Sequence, residues 1–420
     1  MHLKLVSLLG LCVLIAIAWA CSVNRKRFPW RTVAWGLGLQ FIFAVLILKT
    51  AAGRKTFEVA NSAVNRLIEF ANEGSRMVFG PLADTPALQG VFGKNAFIFA
   101  ITVTATIILV AAISSLLYHW GILQKVVQAM AWVMQRAMKT SGSESLAAAS
   151  NIFMGQTEAP LVIKPYLARM TQSELLCLMT GGMATIAGGV AAAYAQMGNA
   201  AGHPETAGHL LSASVMSAPA ALMIAKVLMP ETEQSETASG KMVDPERNSL
   251  NSIDALCRGT TDGLHLALNV IAMLIAFVAV VAMVNFLISW PQQEFGIEDP
   301  VTLQRLFGWI NAPFAWLLGV PVKDCVMIGQ VLGERIVLNE FIGYLTLTKP
   351  TTVVEPRSFT LATYALCGFA NFSSIAIQIG GIGALAPNRR GDLARLGLRA
   401  MLGGLLASYL TATVVGILIS

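Results

Sequence analysis

Long runs without Asp, Glu, Lys or Arg recur along the chain, at 6–24, 32–48, 97–118, 175–202, 207–225, 264–293, 358–388 and 400–420. Each is near or above the roughly 17–25 residues that cross about 30 Å of hydrocarbon as a helix. A backbone in lipid must satisfy its own hydrogen bonds, so the runs predict eight transmembrane helices. A β-barrel would show alternating segments of about ten residues instead, and none appear. The first run resembles a signal peptide at its end, where Ala18-Trp19-Ala20 precedes Cys21. Trp19 and the second span that follows at once favour a retained helix.

Two further apolar segments carry charge. Residues 146–163 contain Glu158, and 325–348 contain Glu334, Arg335 and Glu340. Both are interrupted by Gly and polar residues, and the span count places them on opposite sides of the membrane. They are expected to be re-entrant helical hairpins. The span after each has a matching centre. The first reads Gly181-Gly182-Met183-Ala184-Thr185-Ile186-Ala187-Gly188-Gly189. The second reads Gly368-Phe369-Ala370-Asn371-Phe372-Ser373-Ser374-Ile375-Ala376, followed by Gly380-Gly381. Such centres suit helices that unwind in mid-membrane, which is tolerable only where the freed backbone lines a polar cavity. Hairpins and discontinuous helices in two oppositely oriented halves are the pattern of an inverted-repeat secondary transporter.

Composition agrees. Of 420 residues 55% are hydrophobic and 12% charged, against about 25% charged in soluble domains. The mean hydropathy is +0.65. An ordinary soluble enzyme and a disordered regulator are excluded. The net charge of +6 sits in short gaps between apolar runs, which makes it an orientation signal rather than a nucleic-acid surface. The Arg25-Lys26-Arg27 turn with Arg31 is expected in the cytoplasm. Eight crossings then put both termini outside and the basic loop at 388–395 inside. The six cysteines are scattered and the five histidines form no ligand pattern. The expected organisation has four parts. Residues 1–92 form two spans and interfacial amphipathic helices, 93–229 a first repeat, 230–256 a hydrophilic linker and 257–420 a second repeat.

Glu158 and Glu340 lie in apolar surroundings, where an unpartnered carboxylate costs several kcal/mol. Each either caps a hairpin helix near water or accepts hydrogen bonds from a polar solute in a central cavity. Gln156 and Thr157 add an amide and a hydroxyl beside Glu158. Asn371 and Ser374 do the same in the second half, or else hydrogen-bond between helices. Phe369 and Val190 are packing residues or apolar walls for a ring. No Gly-x-x-x-x-Gly-Lys-Ser/Thr run exists, so uphill transport would draw on an ion gradient. Asn151, Thr185 and the carbonyls near Met154 and Ile186 are hard oxygen donors suited to sodium. A proton would need another titrating side chain. No nucleophile–base set or His/Cys metal site supports a membrane-embedded enzyme.

The segments Gly155-Gln156-Thr157-Glu158-Ala159-Pro160, Asn339-Glu340-Phe341 and Cys367-Gly368-Phe369-Ala370-Asn371-Phe372-Ser373-Ser374-Ile375 closely resemble the concentrative nucleoside transporters. The basic turn after the first span and Pro387-Asn388-Arg389-Arg390-Gly391-Asp392 extend the resemblance over essentially the whole chain. It implies a homotrimer in the inner membrane of a bacterium. Each protomer would have eight transmembrane helices, two hairpins, and a transport domain moving elevator-fashion against a scaffold. It implies nucleobase contacts at Gln156, Thr157 and Glu158 with Val190 near the base, and ribose contacts at Glu340, Asn371 and Ser374 with Phe369 alongside. It also implies a sodium site from the Asn151 and Thr185 side chains and the Met154 and Ile186 backbones. Thr185 stands where sodium-coupled bacterial members carry Ser, and Asn151, which proton-coupled relatives tend to lack, favours sodium. Apart from the coupling ion, no cofactor is expected. The expected partners are a nucleoside, sodium, lipid and two further copies of the chain.

Overall fold

The computed structural model describes residues 2–84, 88, 98–238, 249–297 and 299–419. Residues 85–87 and 89–92 of the expected first part, 93–97 of the expected first repeat, with the start of the third expected span at 97, and 239–248 of the expected linker lie outside them. The described residues are helical, with no strand among them.

The helices are α1 His2–Ala20, α2 Trp30–Lys49, α3 Ala51–Phe79, α4 Phe99–His119, α5 Ile122–Met138 and α6 Gly142–Ser150. After two short turns, Ala159–Val162 and Lys164–Leu167, come α7 Gln172–Ala184, α8 Gly188–Ala200 and α9 Thr206–Leu228. The remainder are α10 Ser252–Glu294, α11 Leu303–Leu317, α12 Cys325–Val337, α13 Glu340–Leu347, α14 Pro356–Leu366, α15 Phe372–Leu385 and α16 Arg390–Leu418. Among the described residues, seven helical segments are long and apolar enough to span a membrane, α7 and α8 counting as one. The eighth expected span is α14 followed by the short apolar helix α15, which a break at 367–371 divides.

Both expected hairpins and both expected broken helices are present. The order span, amphipathic helix, hairpin, broken helix, span occurs twice, as α4 to α9 and as α10 to α16. Equivalent elements of the two repeats meet: α4 packs on α10, and α9 on α16. Two features differ from the sequence expectation. The segment expected as interfacial helices begins with one continuous 29-residue helix, α3, that is polar along one side. The span at 264–293 belongs to the 43-residue α10, roughly 65 Å long and so longer than a membrane is thick.

The α4–α10 contact depends on glycine spacing. A Cβ on Gly259 would lie 2.7 Å from Ala111 O and from Ala112 Cα, and one on Gly263 2.8 Å from Ile108 Cα. Small residues four apart let two helix backbones approach in lipid, where packing rather than the hydrophobic effect drives association. Gly263→Leu is expected to wedge the pair apart and to cost roughly 1–3 kcal/mol. The thermal unfolding temperature of the detergent-solubilised protein should fall; an unchanged temperature would mean that the contact contributes nothing.

Each hairpin is tied at its base to the broken helix that follows. Ser141, which caps α6, donates from Oγ to Glu174 Oε1 at 2.5 Å, and Glu174 in turn caps α7 through the Thr171 N–H. In the second repeat the roles are exchanged: Ser358 at the start of α14 donates from Oγ to Asp324 Oδ2 at 2.5 Å, just before α12. Lys226 near the end of α9 adds a buried ion pair to Glu144 of α6 at 2.7 Å. These ties fix where the two hairpin tips sit against the two helix breaks.

Candidate functional site

The first hairpin turns between α6 and the helical turn at Ala159–Val162. Pro160 near the start of that turn has no N–H to leave unsatisfied. Glu158 precedes the turn, and its Oε2 accepts from the Gly155 N–H at 3.1 Å. The second hairpin turns at 338–339. Asn339 caps α13 by accepting from the Ile342 N–H at 3.0 Å, which places Glu340 in the first turn of α13, where the helix dipole favours a negative charge.

Opposite the tips lie the two breaks. α7 ends at Thr185 in extended backbone, φ −127° and ψ 167°, and α8 resumes after Ala187. Asn371 ends the second break by capping α15, its Oδ1 accepting from the Ser374 N–H at 2.9 Å and from Ser373 Oγ at 2.7 Å. The breaks touch: a Cβ on Gly368 would lie 2.7 Å from Met183 O and 2.9 Å from Ala184 C. Only glycine permits that approach.

One buried network joins the two hairpins. Asn371 Nδ2 donates to Glu340 Oε2 at 2.8 Å, and the Asn371 cap holds Ser374. Gln156 Nε2 donates to Ser374 Oγ at 3.2 Å, and Gln156 Oε1 accepts from Gln378 Nε2 at 3.1 Å. Gln378 also donates to Met179 O at 3.0 Å, which fixes its amide and therefore that of Gln156. Glu340 is 4% exposed. Its other oxygen, Oε1, accepts from the Tyr194 hydroxyl at 3.1 Å. Arg335 is fully buried nearby, donates from Nη1 to Ala365 O and interacts electrostatically with Glu340.

Glu158 lies outside this network. It is exposed to an adjoining cavity of about 420 Å³ with Phe153, Met154, Lys164, Tyr118 and Asp262 on its walls. Thr157 is also exposed, and its methyl lies against Gly381 of α15. Val190 is buried on α8 one turn before Tyr194, and Phe369 is half-buried in the second break.

The residues expected to hold sodium lie where the first hairpin meets the first break. Asn151 follows α6, and its Nδ2 donates to Ala147 O at 3.1 Å. Its Oδ1 is buried with no donor, an acceptor of the kind a dehydrated cation takes. Thr185 Oγ1 donates to Gly181 O at 2.9 Å, and a Cβ on that same Gly181 would lie 3.1 Å from Asn151 Nδ2. Both side chains therefore abut one residue. Met154 borders the cavity and Ile186 is buried beside Thr185.

Sequence reasoning missed Tyr194, Gln378 and Arg335 as parts of the site. Gln378 and Arg335 carried a signal, since a polar side chain in an otherwise apolar membrane segment needs a partner. Tyr194 carried none beyond its place in a span.

Three family models match the chain: "Na+ dependent nucleoside transporter N-terminus" over residues 9–82, "Nucleoside recognition" (a gate model) over 100–201, and "Na+ dependent nucleoside transporter C-terminus" over 209–416. An uncharacterized transporter of Haemophilus influenzae is 45% identical over 419 residues, covering 98% of this chain and 97% of that protein. The nucleoside permease NupC of Helicobacter pylori is 38% identical over 421 residues, covering 99% and 98%. Among solved structures, CNTnw in an inward-facing substrate-bound state is 38% identical, covers 99% of this chain and 97% of its own, and superposes with a TM-score of 0.91.

Proposed function

Since the chain belongs to the concentrative nucleoside transporter family, we propose that it imports nucleosides by sodium symport, through alternating access of one mid-membrane site. The observation that carries this reading is the continuous network from Glu340 through Asn371 and Ser374 to Gln156, which brings both hairpin tips to the second helix break, itself packed at Gly368 against the end of α7 beside the first. Glu340, Asn371 and Ser374 take the ribose, with Phe369 beside it. Gln156, Thr157 and Glu158 take the base, with Val190 behind it. A carboxylate accepts up to about four hydrogen bonds, so Glu340 keeps lone pairs for sugar hydroxyls after Tyr194 and Asn371 are served. Sodium is the co-substrate. Asn151 Oδ1 and the Thr185 hydroxyl, with the carbonyls of Met154 and Ile186, replace its water.

The cavity beside Glu158 is the route to the cytoplasm in this reading. Its walls include the end of α4 and the start of α10, which the basic turn at 25–31 places in the inner half of the membrane. The protein resides in a bacterial inner membrane as a homotrimer, with residues 1–92 in the scaffold and the repeats 93–229 and 257–420 joined by 230–256. The apolar side of α10 that exposes Ile275, Val278, Met283 and Phe286 meets lipid or a neighbouring protomer.

Uptake of radiolabelled uridine into proteoliposomes tests the coupling. Accumulation above the external concentration is expected with an inward sodium gradient and not with choline. Equal uptake in both would remove sodium coupling, uptake that follows pH instead would select proton coupling, and no uptake of any nucleoside would remove the substrate class.

A further inference from the structure

Tyr194 is fully buried, and its hydroxyl hydrogen-bonds Glu340 Oε1 at 3.1 Å. It comes from α8, in the first repeat, and the two aromatic rings packed against it come from α13, in the second. The ring stacks on Tyr344 with centroids 4.0 Å apart and meets Phe341 edge-on at 4.7 Å. Tyr344 is itself anchored, donating from its hydroxyl to Thr363 O at 2.9 Å. Glu340 thus has one oxygen held by Asn371 from the second break and the other by Tyr194 from the helix beyond the first break.

A carboxylate on a flexible side chain, held at one oxygen only, can still swing about that bond. Two donors from different helices leave one orientation. We propose that Tyr194 is a positioning residue that aims the Glu340 carboxylate at the sugar hydroxyls of the nucleoside. The proposal rests on the ribose role given to Glu340 above. Its hydroxyl is spent on Glu340 and its ring is held between helices, so Tyr194 acts through Glu340 rather than by a contact of its own with the substrate. The aromatic clasp also makes the donor available only while α8 and α13 stay docked, so the aim of Glu340 depends on the two repeats being in register.

Tyr194→Phe keeps the ring and its stacking and removes only the donor. Calorimetric binding of uridine and of 2′,3′-dideoxyuridine, with sodium present, is the test. Loss of one hydrogen bond to a charged group predicts about tenfold weaker uridine binding. Dideoxyuridine lacks the 2′- and 3′-hydroxyls and keeps only the 5′-hydroxyl, so it has lost the adjacent pair that a carboxylate can accept from, and it should bind the variant and the parent alike. On an E340Q background, Y194F should add no further loss. Equal weakening of both nucleosides, or a full further loss on the E340Q background, would show a merely structural hydroxyl and overturn the proposal. Weakening by E340Q but none by Y194F overturns it alone. An E340Q protein that binds uridine as the parent does overturns the ribose reading and this proposal together. A Y194F protein that no longer migrates as the parent does on gel filtration is replaced in the same test by Tyr344→Phe, which releases the ring that Tyr194 stacks on from Thr363 O and leaves every proposed substrate contact in place. That variant is expected to weaken uridine more than dideoxyuridine; equal weakening of the two, or none, would again overturn the proposal.

Discussion

Glu340→Gln is expected to weaken uridine binding at least about a hundredfold with folding largely preserved. A carboxylate that accepts two sugar hydroxyls makes two charge-assisted bonds, each contributing about 1.5–3 kcal/mol. Glutamine offers one acceptor where two are needed. It nevertheless fits the protein side of the network. Its oxygen can accept from Asn371 Nδ2, and its amide can donate to the Tyr194 hydroxyl, which accepts as well as donates. The substitution also removes the negative charge near the fully buried Arg335, so a small fall in thermal stability accompanies it. Isothermal titration with uridine and a thermal melt separate the two effects. Unchanged affinity would remove Glu340 from the ligand set, and loss of folding without a binding-competent fraction would make it a structural residue.

The second large effect is expected at the ion. Asn151→Ser shortens the side chain and withdraws the Oδ1 atom that is buried without a donor. A cation that loses one close oxygen ligand is left with a partly unpaid dehydration cost, comparable to a lost hydrogen bond to a charge, about 1.5–3 kcal/mol. The sodium concentration for half-maximal uridine uptake should therefore rise roughly ten- to a hundredfold. Uridine binding in saturating sodium should change far less. An unaltered sodium activation curve would move the ion away from the junction of hairpin and break.

The parts of this architecture that lie within one stretch of chain were legible in the sequence. Charge-free runs announced the spans, and Gly or polar interruptions announced the hairpins and the breaks at 185–187 and 367–371, because a backbone in lipid has few alternatives to a continuous helix. Charges interrupt the apolar runs of α5 and α11, which carry Lys125, Arg136 and Arg305, so neither stands out as a span. Their signal is of another kind: Val127, Ala131, Met134 and Met138 recur at helical spacing and form the buried stripe of α5. Both helices belong to the repeat, one before each hairpin, so the inverted symmetry is more complete than the spans alone suggested. The length of α10 was hidden for a similar reason, since Arg258 and Asp262 interrupt the run near its start.

Pairings between distant residues were not legible. Gln156 and Gln378 are 222 positions apart, Tyr194 and Glu340 146, and no local pattern links them. Asn371 and Ser374 were open to two readings, contact with solute or bonding between helices. In the structure they bond within the protein, to Glu340 and Gln156, and that bonding is what gathers the acceptors into one place. Glu158 and Glu340 looked like a matched pair, but their surroundings differ. One faces an open cavity and the other is enclosed by Tyr194 and Asn371. The asymmetry fits a ligand whose two ends differ, a flat base and a hydroxylated ring.

The most direct test of that arrangement is a cryo-electron-microscopy map of the protein with uridine and sodium. The ribose hydroxyls should lie within hydrogen-bond distance of Glu340 and Asn371, with the uracil ring between Val190 and the side chains of Gln156 and Glu158. Uridine density elsewhere, with the Glu340–Asn371–Ser374–Gln156 network closed and untouched by ligand, would contradict the account.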